Sequence, residues 1–323
     1  MIAALRANPH LRGAPAIAAA SFLALAALFY AAGAGSDWVE AMVPSLAGLQ
    51  EAAPKLSSLA VSAFYALLLV ANGIVITKLT RSVQIQVIWV ELAVLLLLFF
   101  WSFDLSLPFI ARKIGFLITQ GVAMTLYISA VSILIASVLA MAGAVAKLSE
   151  SGIAYGLASF YTSLFRGLPL LMQIYIIYLG LPQLGYIVGP VPAGIAALSL
   201  CYGAYMTEIF RAGIESIPKG QWEAATALGL SRARTFRLVI IPQAMRLVIP
   251  PTGNQFIAML KDSSLVSVVG VWELMYLART QGQTEFRHVE MLITASMIYW
   301  ILSMGLEYVQ ARIEKHFSRS LKR

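Results

Sequence analysis

Between two apolar runs of membrane length the chain reads IPKGQWEAATALGLSRARTFRLVIIPQA, Ile217 to Ala244. Pro218 presets the backbone angle of a first helical turn, and Ser216, just ahead of it, is placed to cap that turn. Gly229 can take the left-handed conformation that closes a helix, so the stretch predicts a helix of about three turns over 218–228. Trp222, Ala225 and Leu228 recur on one face, Glu223 sits near the positive helix end, and Ala224 and Ala225 carry little side-chain bulk. Ser231 is placed to cap a second helix bearing Arg232, Arg234 and Arg237, and Pro242 is expected to break the chain as it re-enters the membrane. Two uses fit such a segment: a knob that enters a groove of a partner protein, or an amphipathic helix lying on anionic lipid.

The surroundings make the segment unusual. Of 323 residues 60% are hydrophobic and only 12% charged, the composition of a polytopic membrane protein. Apolar runs able to cross about 30 Å of hydrocarbon fall near 14–34, 58–77, 84–103, 116–146, 157–181, 190–209, 240–260 and 289–310. The fold class is therefore all-α and polytopic, with about eight transmembrane helices. The formal charge of +8 is read as orientation rather than nucleic-acid binding, because Lys and Arg gather on the cytoplasmic side of membrane proteins. Cys201 is the only cysteine; in an apolar run it reads as a small buried hydrophobe.

The first run follows Arg6 and Arg12 and is long enough to span, which fits an uncleaved anchor better than the shorter core of a cleavable signal. With the amino terminus cytoplasmic, Lys78, Arg81, Lys147, the cluster from Arg211 to Arg237 and the tail of Arg312, Lys315, Arg319, Lys322 and Arg323 share that side. The opposite side receives a mixed set that includes Asp37, Glu51, Arg112, Lys113 and Glu285. Three pieces follow: an amino-terminal three-helix extension over 1–111, a core over 112–315 and a basic tail over 316–323. Glu91 is the ionisable exception within the extension's runs; protonation, packing on another helix and a place near the headgroups would each accommodate it.

The order EAATALGLSRARTFRLVIIPQA resembles the cytoplasmic coupling motif of ABC-type importer permeases, whose Glu-Ala-Ala, Gly and Pro fall here on Glu223, Ala224, Ala225, Gly229 and Pro242. Four further strings in the same order are similar to the polar amino acid subgroup: YTSLFRGLPLLMQIYIIYLGLP from Tyr161, AYMTEIFRAGIESIPKGQ from Ala204, PPTGNQFIAMLKDSSLVSVVG from Pro250, and WELM from Trp272. The resemblance runs over about 121–306. It implies a five-helix importer permease core preceded by three extra helices, in a bacterial cytoplasmic (inner) membrane with both termini cytoplasmic. It also implies dimerisation with a second copy or a sister permease, an ATPase subunit dimer, a periplasmic solute-binding protein and a polar amino acid substrate. Contact with the ATPase would fall to Gln221, Glu223, Ala224, Ala225, Leu228 and Gly229. ATP and Mg would sit on that partner: the chain contains no G-x-x-x-x-G-K-[ST] loop and is not expected to be an enzyme.

Several polar residues inside the core are candidates for the solute pathway or its gates. Arg166 can snorkel to phosphates or pair with Glu208, in a structural or a gating role. Gln173 can bond a neighbouring helix or a ligand, and Asn254 and Gln255 sit where unpaired amides are costly. Lys261 and Asp262, followed by Ser263, could meet the carboxylate and ammonium of a zwitterionic amino acid, or could each pair with another helix. His10, His288 and His316 lack metal spacing or a catalytic partner. A secondary transporter or channel would need membrane-depth carboxylates for a coupling ion, for which Glu91 is thin support. A membrane enzyme would need a clustered nucleophile or metal set, and a scaffold would have no use for intact coupling residues.

Overall fold

The structure is a computed structural model that describes residues 14–31, 54–101, 103 and 105–318. Charges that the topology argument draws from 1–13, 32–53 and 319–323 lie outside the described residues, as does His10. The chain forms two compact units, 1–99 and 100–323. Among the described residues the secondary structure is helical throughout.

The first unit holds α1 (Ala14–Ala31), α2 (Pro54–Thr77) and α3 (Arg81–Trp101). Phe29 of α1 meets Tyr65 of α2 with ring centroids 5.7 Å apart. None of residues 81–100 is buried, as a uniformly apolar helix requires if lipid surrounds it. Glu91 of α3 accepts a hydrogen bond from Nδ2 of Asn72 on α2 at 2.9 Å. Of the accommodations open to it, packing against a neighbouring helix is the one observed, because an amide donor is far cheaper company for a carboxyl than hydrocarbon.

The second unit begins with α4 (Leu107–Lys147), 41 residues interrupted by a π-helical turn at Leu117–Val122. At 1.5 Å per residue it is about 60 Å long, twice what a bilayer needs. Its first ten residues are amphipathic, with Arg112 and Lys113 both paired to Glu285 at 3.5 and 3.2 Å. Helix α7 (Pro190–Glu215) packs along α4 through small residues. At Gly143 a β-carbon would stand 2.6 Å from the Thr207 hydroxyl, so the approach of the two backbones depends on a missing side chain.

The run expected to cross as one span over 157–181 is not one straight helix. It forms α5 (Gly152–Gly167) and α6 (Leu170–Gln183), bent by 106° at the join. The cause is Pro169, which excludes the α conformation from the residue before it: Leu168 sits at φ −94, ψ 137. Five described helices are long and apolar enough to cross a membrane, and α5 with α6 would make a sixth.

Helix α8 (Lys219–Ala227) leads to α9, which starts at Arg232–Thr235, passes a π-helical turn at Phe236–Ile240 and continues over Ile241–Asp262. Pro242 therefore does not break the chain. It sits in the first turn of the segment after the π turn, where its missing N–H is harmless. A 3₁₀ segment, Ser263–Val269, leads to α10 (Leu274–Thr284) and α11 (His288–Ser318). These close a second core in which Phe109, Leu117, Leu274, Ala278 and Met291 are buried together.

Candidate functional site: the α8 knob and the cavity at the α5–α6 bend

Helix α8 ends in a complete Schellman motif. Gly229 adopts φ +75, its N–H donates to Thr226 O at 2.9 Å, and the Leu230 N–H donates to Ala225 O at 3.1 Å. The start differs from expectation. Pro218 is itself the cap residue, and Ser216 turns back to donate to Gly213 O at 2.7 Å, closing α7 instead. The face expected to hold Trp222, Ala225 and Leu228 divides. Trp222 lies against Phe236, ring centroids 6.4 Å apart, and Ala225 is buried, whereas Leu228 in the last turn is 82% exposed. Glu223, Ala224 and Gly229 share the exposed side, and Gln221 accepts from Gln243 of α9 at 3.1 Å. The helix is thus held by one face and presents small residues and one leucine on the other.

Behind α8 lies a cleft of about 1080 Å³ lined by Leu148, Glu215, Lys219, Trp222, Arg232 and Phe236 among others. Arg232 is paired with Glu150 at 2.8 Å across its rim. Further along α7, Glu208 gathers three cations. Lys147 donates to its Oε1, Arg211 Nε to its Oε2 at 2.9 Å, and Arg166 Nη1 stands 3.9 Å from Oε1. The expected Arg166–Glu208 pair therefore exists, as the loosest of three.

The bend between α5 and α6 opens a cavity of about 500 Å³ whose lining includes Arg166, Tyr202, Tyr205, Gln255 and Asp262. Asp262 accepts from the Tyr202 hydroxyl at 2.7 Å, and Arg166 lies over the Tyr205 ring, 5.3 Å from its centroid. One carboxylate and one guanidinium thus face a single space. Tyr202 and Tyr205 were not singled out in the sequence, although the period of three that joins them to Glu208 within an apolar helix is a legible signal.

Other candidates lie elsewhere. Gln173 is buried and spends its amide on Phe165 O and Leu168 O, both at 2.9 Å, bridging the bend. Asn254 accepts from Gln310 of α11 at 2.9 Å and shares a separate cleft of about 360 Å³ with Lys261, Glu307 and Glu314. Lys261 and Asp262 thus open onto different spaces, as neighbours about 100° apart on a helix must, and do not form the joint zwitterion clamp. Ser263 is buried and donates to Leu260 O at 2.7 Å, away from the cavity.

Residues 139–319 match the family model for "binding-protein-dependent transport system inner membrane component". The arginine transport system permease protein ArtQ of Bacillus subtilis (strain 168) is 39% identical over 199 residues, 61% of this chain and 91% of that protein. The L-cystine transport system permease protein TcyB of the same organism is 38% identical over 63% of this chain and 87% of its own. A crystal structure of an amino acid ABC transporter with histidines matches with a TM-score of 0.62 at 33% identity, covering 66% of this chain and 99% of that one. An inward-facing MetNI methionine ABC transporter, at 21% identity and a TM-score of 0.56, shares the fold.

Proposed function

We propose, for a chain that belongs to the family of binding-protein-dependent transport system inner membrane components, that it is the membrane-spanning subunit of an ATP-driven importer of polar amino acids. Solute would pass from periplasm to cytoplasm. A separate ATPase dimer would carry ATP and Mg, a periplasmic binding protein would deliver solute, and a second permease would complete the pathway. Both termini would be cytoplasmic, in line with the Lys and Arg bias. The relatives named for arginine, cystine and glutamine transport support the solute class.

The observation that carries the coupling assignment is the split character of α8. A short helix clamped by Trp222 and Ala225, closed rigidly at Gly229 and exposing Leu228 in a polar segment is built to be pushed by a partner. Gln221, Glu223, Ala224, Leu228 and Gly229 would touch the ATPase, while Ala225 would act from behind. Solute would be met at the bend cavity, with Asp262 toward its ammonium, Arg166 toward its carboxylate and Gln255 as a neutral partner. Gln173, Asn254, Lys261 and Ser263 would shape the pathway without sharing that cavity. Mild-detergent purification of the chain from its native membrane tests the reading. Co-purification of a subunit with a phosphate-binding loop is expected, as is its loss in Leu228→Asp. A chain that purifies alone, even after crosslinking, would overturn the reading in favour of an ATP-independent transporter.

A further inference from the structure

Tyr202, Tyr205, Glu208, Arg211 and Glu215 follow one another along α7 at intervals of three or four residues, a stripe that winds about half a turn around the helix between Tyr202 and Arg211. This stripe joins two spaces. Tyr202 and Tyr205 line the bend cavity with Arg166, and Glu215 lines the cleft that it shares with Lys219 and Trp222 of α8. Glu208 stands between them, bonded to Arg211, and Arg211 continues to Glu215 through Nη1 at 2.6 Å.

The pairing distances identify the loose member. Among the described residues Lys147, Arg166 and Arg211 make ion pairs with Glu208 and Glu215, while Asp262, the carboxylate of the bend cavity, accepts from Tyr202. Lys147 and Arg211 sit within hydrogen-bonding reach of Glu208, whereas Arg166 stands off at 3.9 Å, its side chain 43% exposed and supported by the Tyr205 ring. The most loosely held charge is therefore the one on the cavity wall. It has two places to go: back to Glu208, or forward to an anionic group in the cavity.

We propose that Glu208 is a positioning residue that transmits occupancy of the bend cavity to α8. A carboxylate in the cavity draws Arg166 away from Glu208. Relieved of its third cation, Glu208 tightens on Lys147 and Arg211, and the Arg211–Glu215 arm shifts the cleft against which Trp222 and Lys219 lie. The two partners of Arg166 make the discrete alternative that coupling between distant sites requires. The inference rests on the importer reading, which supplies the carboxylate.

The test is ATP hydrolysis by the full complex, purified from its native membrane and reconstituted with its binding protein. The probes are L-arginine, L-glutamine and L-cystine, and the readout is the ratio of stimulated to basal hydrolysis. Glu208→Gln is expected to keep assembly and basal hydrolysis while that ratio falls about tenfold, an ordinary size for coupling between sites. Glu208→Asp should recover part of the ratio. At saturating amino acid, where the solute contact of Arg166 no longer limits occupancy, Arg166→Gln with Glu208→Gln should be no worse than Glu208→Gln alone, because both cut one path. A ratio that stays at the wild-type value in Glu208→Gln overturns the link, and so do effects of the two substitutions that multiply independently. If glutamine at 208 prevents assembly, Arg166→Gln carries the test from the cavity side, and an unchanged ratio there is equally fatal. A wild-type complex that none of the three amino acids stimulates overturns the importer reading itself.

Discussion

The side-chain amide of Gln173 donates to the carbonyl oxygen of Phe165 at 2.9 Å, across the 106° bend that Pro169 forces between α5 and α6. A helix that stops inside a membrane protein leaves carbonyls without intrahelical donors, and Gln173 reaches back to two of them. Gln173→Leu should therefore destabilise the chain by about 1–3 kcal/mol, the loss expected when buried acceptors go unsatisfied. Thermal melting in detergent measures it. An unchanged midpoint would mean that water or another donor replaces the amide.

Asp262 is the carboxylate of the bend cavity, held by Tyr202. Asp262→Asn should reduce labelled amino acid uptake in cells by more than about tenfold, as loss of a charge-assisted contact does. Lys261→Gln, opening onto the other cleft, should reduce it far less. Equal losses in both would argue that the two cavities act as one.

Gly229 holds φ +75, a conformation that a β-branched side chain adopts only at a penalty of about 1–2 kcal/mol. Gly229→Val should fray the end of α8 and reduce both the co-purified ATPase and uptake, with normal membrane insertion. Gly115→Ala offers a control, since a β-carbon there meets nothing within 4 Å. Full ATPase recovery with Gly229→Val would detach the helix end from coupling.

Glu273 caps α10, accepting from the N–H groups of Met275 and Tyr276 and from the Tyr299 hydroxyl, and is 0% exposed. Burial pushes its carboxyl up to about 7 from an ordinary 4.5, against those three donors and the charge of Arg279. A carboxyl whose folded-state value is raised stabilises the fold fully below its unfolded value and loses that contribution as pH rises through the folded one. The melting midpoint should fall between about pH 5 and pH 8, and Glu273→Gln should flatten that slope. A slope that survives the substitution would assign it to another group.

Asn72→Leu removes the donor that Glu91 uses within the first unit. Interhelical hydrogen bonds of this kind are worth about 0.6 kcal/mol on average and up to about 1.7. A small fall in melting midpoint is expected, together with faster reaction of Glu91 toward a hydrophobic carbodiimide. An unaltered reaction rate would show that the amide does not shield the carboxyl.

Much of α8 is legible in the sequence, because Pro218 and Gly229 act through their own backbone angles and need no context. The side that would face outward is not. Trp222 and Leu228 fit the same periodic face, and only the presence of Phe236 on α9 decides that the tryptophan turns inward. Ser216 had a cap's position but found Gly213 closer, a choice between two local bonds that spacing does not rank. The bend at Leu168 was present in the residues, since X-Pro disfavours the α region, but the hydropathy of 157–181 was uniform enough to hide it. Lys261 and Asp262 show the reverse. Their adjacency invited a joint role, and the helical rotation between them sends each to a different cleft. Tyr202 and Tyr205 carry only their spacing to Glu208 as a signal, because aromatic residues in an apolar helix usually signify packing and the partner of the Tyr202 hydroxyl lies on another helix.

The π-helical turn at Phe236–Ile240 accommodates one residue more than an α-helix would use for the same advance. One residue of helix is about 100° of rotation, so the turn sets the azimuth at which Thr235 and Phe236 meet α7 and α8 relative to the azimuth at which Gln255 and Asp262 meet the bend cavity. Removing a single residue from it would leave the hydrophobic length of α9 almost unchanged and the composition of both ends intact. The two ends would nevertheless fall out of phase, as a key cut correctly but turned a quarter does not fit its lock.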